Sequence, residues 1–154
     1  MILLKTMTET AYREWLEESI KEYAKEKTKA GNFKKETSNE QAEQEFNQLL
    51  PEGRETKDHY LFILFHEESK EIVGNLWFHL KNEPREIFIY DIKIHESKRG
   101  SGFGKAALTA LDSFAREKGI TKISLHVFGH NKTAISLYQK TGYEVTNVLM
   151  SKSL

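Results

Sequence analysis

Apolar residues recur along this chain with two different periods, and the switches between them divide it into thirds. Residues 2–6 suit a short strand. Thr8 then suits a helix N-cap, with Glu9 favourably placed in the first turn. Tyr12, Trp15, Leu16, Ser19, Tyr23 and Lys27 follow at helical spacing, and Gly31 stops the helix after Ala30. A second helix is predicted from Ser38, which stands at capping-box distance from Gln41. Ala42, Phe46, Leu49 and Leu50 form its apolar face, and Pro51-Glu52-Gly53 ends it.

In the middle third the period drops toward two. Tyr60–His66 is nearly all apolar and predicts a strand covered on both faces. Residues 68–71 are too few for anything but a hairpin, so Ile72–Leu80 returns antiparallel. After a turn through Pro84, Ile87–His95 is the next strand, the fourth of the chain. The last third alternates. Phe103–Lys118 reads as a helix stopped by Gly119. Ile123, Leu125 and Val127 alternate as a strand. Asn131 caps a helix carrying Ala134, Leu137, Tyr138 and Thr141, and Tyr143–Met150 reads as a last strand. This order predicts a single α/β domain over 1–154 with a mixed central sheet flanked by helices.

Composition narrows the function. With 154 residues the chain can bury a core without disulfides or metal. It has 23 Lys plus Arg against 23 Asp plus Glu, so no net field draws nucleic acid or an acidic membrane. It has no cysteine, which excludes thiol catalysis and cysteine zinc sites and suits a cytoplasmic location. The longest apolar run, Tyr60–Phe65, is too short to span a bilayer. Six histidines show no ligand spacing on a helix, so no metal is expected.

The densest chemistry lies where the fourth strand runs into a glycine-rich turn, Arg99-Gly100-Ser101-Gly102-Phe103-Gly104-Lys105, which opens a helix. Glycines admit a ligand close to the backbone, and unpaired helix N–H groups with the dipole behind them attract phosphate. The P-loop pattern fails: only three residues separate Gly100 from Gly104, and Ala106 follows Lys105. A dinucleotide fingerprint fits Gly102, Gly104 and Ala107 by letter. It then lacks the parallel βαβ setting and the acid about 20 residues on, which disfavours a nucleotide-dependent oxidoreductase.

Arg99-x-x-Gly102-x-Gly104 does fit another pattern. A second block follows it, Leu125-His126-Val127, Asn131, Ala134, Leu137-Tyr138 and Gly142-Tyr143. With both blocks in this order the chain resembles the GNAT superfamily of acyl-CoA-dependent N-acetyltransferases, and in particular small bacterial members of unassigned substrate. The resemblance implies a mostly antiparallel sheet and acetyl-CoA as donor. It implies that the backbone of Ile92, Lys93 and Ile94 pairs with the pantetheine arm as an added strand. The amides of Gly100, Ser101, Gly102, Phe103, Gly104 and Lys105 would hold the pyrophosphate, Arg99 and Lys105 would add charge, and Asn131 would add a polar contact to CoA besides its cap.

The reaction is attack of a neutral amine on a thioester, so one group must accept a proton and another must supply one to the thiolate. Tyr138 matches the family's general acid. The base stays open. Many members hold a carboxylate on the fourth strand at the position matched here by Phe88, which cannot act. Glu86 lies two residues back on the same face, and Asp91 on the opposite face unless a bulge turns it. His126 matches a fifth-strand position where some members hold a glutamate, and it titrates near neutrality. His79 lies on the third strand, and a water relay between Glu86 and His126 is a further option. Trp15, Tyr23, Trp77 and Tyr90 are candidate walls for the acceptor, a small-molecule or peptide amine. The competing function is a catalytically silent module that binds CoA. Nothing in the chain distinguishes a monomer from a homodimer.

Overall fold

Alternation along the middle strands sorts their side chains onto two faces, and both faces are covered. The computed structural model describes residues 1–154. Five strands, β1 (Ile2–Thr6), β2 (His59–His66), β3 (Glu71–Asn82), β4 (Arg85–Ile94) and β5 (Ile123–Leu125), form one sheet in the order β1-β2-β3-β4-β5. The first four are antiparallel neighbours, and β5 lies parallel to β4. That last pairing needs a crossover, which helix α3 (Phe103–Glu117) supplies.

Phe62, Leu64, Leu76, Phe78, Ile87 and Ile89 point to one face, where Ala107, Leu108, Leu111 and Ala115 of α3 bury them. Leu61 and Trp77 point to the other, under Tyr12 and Trp15 of helix α1 (Glu9–Lys29) and Phe46 of helix α2 (Ser38–Leu49). Trp77 is the keystone there, its ring 5.4 Å from those of both Trp15 and Phe46. The last helix, α4 (Lys132–Lys140), sets Leu137 and Tyr138 against the α3 side of the core.

Two predicted caps form as expected. Thr8 Oγ1 accepts from Ala11 N at 3.1 Å, and Asn131 Oδ1 accepts from Ala134 N at 3.2 Å. The cap at Ser38 does not. A 3-10 turn over Lys35–Thr37 runs straight into α2, so Ser38 is already helical and its hydroxyl donates back to Lys35 O at 3.1 Å.

The predicted strand over Tyr143–Met150 is also corrected. The segment pairs with no strand, and past Tyr143 the backbone makes no hydrogen bond to the rest of the molecule. A ladder is a property of two segments, so strand-like residues cannot form one without a neighbour.

Gly74 is fixed by a close approach. A Cβ there would lie 2.0 Å from Lys93 O on β4. Gly74→Ala is expected to destabilise the chain by about 1–3 kcal/mol through overpacking of the β3–β4 ladder. A urea melt with an unchanged midpoint would contradict this.

Candidate active site

The apolar pattern of β4 changes phase: Ile87 and Ile89 stand at odd positions, Ile92 and Ile94 at even ones. The structure supplies the cause. Trp77 pairs with Asp91 but Phe78 with Ile89, so Tyr90 is an extra residue, a β-bulge. Without it Asp91 would follow Ile87 and Ile89 into the α3 core. With it, Asp91 turns to the α1 side, where its Oδ2 accepts from Trp15 Nε1 at 3.0 Å. Burial pushes its carboxyl up to about 6. The Trp15 hydrogen bond works against that rise, Glu22 adds to it, and Lys93 and Glu18 have smaller effects. Lys93, two residues on, reaches the same helix and binds Glu18 at 3.2 Å and Glu22 at 2.5 Å.

Tyr138 lies near enough to Asp91 to feel its charge. Burial first, and that charge second, push its hydroxyl up to about 12. Burial thus raises both groups, the carboxyl toward neutrality and the phenol well above it.

The β4–β5 ladder ends at Ile89 and Leu125, so β4 from Tyr90 to Ile94 has a free edge on that side. That edge leads into a 3-10 turn over Glu96–Lys98 and then to the N-terminus of α3. Gly100 and Gly102 both have φ +83, and a Cβ on either would meet open space. No side chain caps α3, and its first internal bond runs from Ala106 N to Gly102 O. The six consecutive N–H groups from Gly100 to Lys105 therefore have no acceptor within the chain. A Cβ on Gly104 would touch Leu137 at 3.0 Å, so glycine there lets α3 and α4 meet closely.

The other expected residues fall as follows. Arg99 donates from Nε to Ile94 O at 3.1 Å, beside the turn, while Ser101 and Lys105 are exposed. Ile92 and Ile94 pack toward α3, and Phe103 packs against the same core. Glu86 lies at the far end of β4, between Lys81 and Lys122, each 3.8 Å away. Five residues separate it from Asp91, roughly 16 Å of extended chain. His126 lies just past β5, exposed and edge-on to Phe128 at 5.2 Å, with no hydrogen bond to Asp91, Glu86 or Tyr138. Of the two β4 carboxylates, Asp91 is the one whose charge reaches Tyr138, while His126 and Tyr138 line the same cavity.

Beside Asp91, Phe88 and Tyr90 (ring centroids 5.0 Å apart) continue into His79 and His59. Trp77 Nε1 donates to His59 Nδ1 at 2.9 Å. Burial, then the neighbouring His79, lower the His59 pKa to about 4, so the ring is neutral and carries its proton on Nε2. No three His, Asp or Glu side chains converge as a metal cage would require, and no helix is long and apolar enough to cross a membrane.

Residues 10–143 match the acetyltransferase (GNAT) family. The chain is 47% identical over 155 residues to the uncharacterized N-acetyltransferase YycN of Bacillus subtilis, covering 99% of each. It is 36% identical over 153 residues to the uncharacterized N-acetyltransferase YdgE of the same organism, covering 98% of this chain and 97% of the relative. The crystal structure of YycN superposes with a TM-score of 0.96, covering 100% of this chain and 99% of that one.

Proposed function

This chain belongs to the GNAT family of N-acetyltransferases, and we propose that it moves an acetyl group from acetyl-CoA to a primary amine by direct attack, with Asp91 as base and Tyr138 as acid. The observation that carries the reading is one alignment: the free β4 edge from Tyr90 to Ile94 has Asp91 and Tyr138 at its start and six unpaired N–H groups after its end. Phosphate oxygens suit those N–H groups at a helix N-terminus, and the open space above Gly100 and Gly102 admits them. The residues present therefore fit the donor.

Each residue then has a task. Ile92, Lys93 and Ile94 offer main-chain groups to the pantetheine amides. Gly100 to Lys105 hold the pyrophosphate, with Arg99 and Lys105 as counter-charges, and Asn131 adds a polar contact. The donor supplies a thioester carbonyl. Asp91 takes the proton that the ammonium must lose before its nitrogen can attack, and Tyr138 gives its hydroxyl proton to the departing sulfur. Phe88, Tyr90 and His79 floor the approach of the amine to Asp91. Glu86 is set aside as base because Lys81 and Lys122 hold it far along the strand. His126 ranks second as base: it lines the same cavity as Tyr138 but makes no hydrogen bond that would orient it.

A screen of small-molecule and peptide amines with detection of released thiol tests the activity. A chain that binds CoA and releases no thiol with any amine is the silent module instead. Acetyl-CoA or CoA is expected to raise the melting temperature, as any ligand selective for the native state does. Gly102→Glu is expected to abolish that rise by placing a carboxylate among the phosphate-binding amides. An equal rise in the variant, or a larger rise with NADH or ATP, would remove the assignment.

A further inference from the structure

The segment after Tyr143 joins no helix or strand and makes no backbone hydrogen bond to the rest of the molecule. Val148, Leu149 and Met150 are 72, 87 and 86% exposed. Three adjacent large apolar side chains in water are unusual for a folded chain and mark a contact surface. The segment borders a cavity of about 1380 Å³ that is also lined by Ile123, Leu125 and Val127 at the open edge of the sheet. Small-molecule sites run to about 300–1,000 Å³. This cavity is larger. The occupant must therefore offer main-chain groups for an unpaired strand edge and both apolar and polar side chains for a mixed lining.

We propose that residues 144–152 of a second copy of this chain fill that cavity, each copy lending its tail to the other about a two-fold axis. The tail meets every requirement of the space. Its own copy cannot supply it without a pivot, because the tail already lines the cavity rather than filling it. That pivot is pinned: Tyr143 N donates to Tyr138 O at 2.9 Å, and the two rings lie 5.7 Å apart. Charge also fits. Antiparallel pairing of two tails centred on Val148 sets Glu144 of each copy opposite Lys152 of the other. The chain's zero net charge adds no repulsion. The superposition on the YycN crystal structure covers the whole of this chain, the tail included. Adding a strand to a free edge satisfies its main-chain groups and removes the hazard that an open edge presents. A two-fold exchange of identical segments closes without further growth. Tyr138 lines the same cavity, so the borrowed tail would also close the wall behind the acid assigned under the proposed function.

Sedimentation equilibrium of the wild-type chain is expected to give twice 17.9 kDa. Val148→Glu places two carboxylates against each other at the axis and is expected to yield a folded 17.9 kDa monomer, judged by circular dichroism. A mixed dimer of ¹³C-labelled and unlabelled wild-type chains gives a readout that needs no substitution. It is expected to show between-chain NOEs from the Leu125 and Val127 methyl groups to those of Val148 and Leu149. A wild-type monomer, a dimer that persists in Val148→Glu, or NOEs found only within one chain would overturn the proposal. None of these readouts depends on acetyl transfer, so the failure of either reading leaves the other standing.

Discussion

Asp91→Asn is expected to lower kcat/KM by about 10²–10⁴-fold, the usual contribution of a general base. It is also expected to erase the rising limb of the pH profile near pH 6. Asparagine keeps the shape and the oxygen that accepts from Trp15 Nε1, so only the proton acceptor is lost. The same substitution is expected to stabilise the protein at high pH. Burial raises this carboxyl from its usual 3.8 to about 6 in the folded chain. Stability from the protonated group is thus complete below about pH 4 and is lost as pH rises through about 6. At pH 8 the ionised, partly buried carboxylate costs on the order of 2 kcal/mol, which asparagine avoids. Asp91→Asn should therefore melt higher than wild type at pH 8, and the gap should close toward pH 4. Glu86→Gln and His126→Gln are expected to retain most of the activity and the limb. An acceptor with its own amine pKa can add a limb, so two acceptors of different basicity should be compared. Full activity in Asp91→Asn, or loss of the limb in His126→Gln alone, would return the base to the other candidates.

Tyr138→Phe is expected to lower kcat by about 10²–10⁴-fold while the CoA-induced rise in melting temperature stays at the wild-type value. Phenylalanine preserves the packing against the α3 core and removes only a hydroxyl. Because burial and Asp91 push that hydroxyl up to about 12, it stays protonated throughout the working range. No falling limb from Tyr138 should therefore appear below about pH 11, and the limb of Asp91 should survive in Tyr138→Phe. This pattern separates the two roles, since each variant lowers the rate but only Asp91→Asn changes the pH profile. Single-turnover measurement excludes slow product release as a mask. Unchanged chemistry in that measurement would make Tyr138 a packing residue.

The parts of this protein legible from its residues are those made by neighbours in the chain. The caps at Thr8 and Asn131 form because hydroxyl or amide and recipient N–H lie three residues apart. The stop at Gly31 and the turn at Gly100 and Gly102 follow from backbone angles that glycine tolerates. The bulge left a mark as well, in the phase slip from Ile89 to Ile92, and the strand period alone could have located it. Ser38 misled for a local reason: the preceding 3-10 turn had already begun the helix.

Other features depend on groups far apart in sequence, and no local pattern carries them. Trp15 and Asp91 are 76 residues apart, and the bond between them exists only because the bulge and α1 meet. The elevated carboxyl of Asp91 is a consequence of burial there, which a sequence position does not state. Tyr143–Met150 has strand-forming residues, but a strand needs a second edge, and tertiary structure puts a cavity in that place. The sequence by itself thus determined the order of elements as far as α4 and the glycine turn, and through its resemblance to the family it singled out Tyr138. Tertiary structure alone decided which β4 carboxylate is buried against α1 and which segment is left without a partner, because side-chain facing, desolvation and strand pairing are all set by what lies across the sheet.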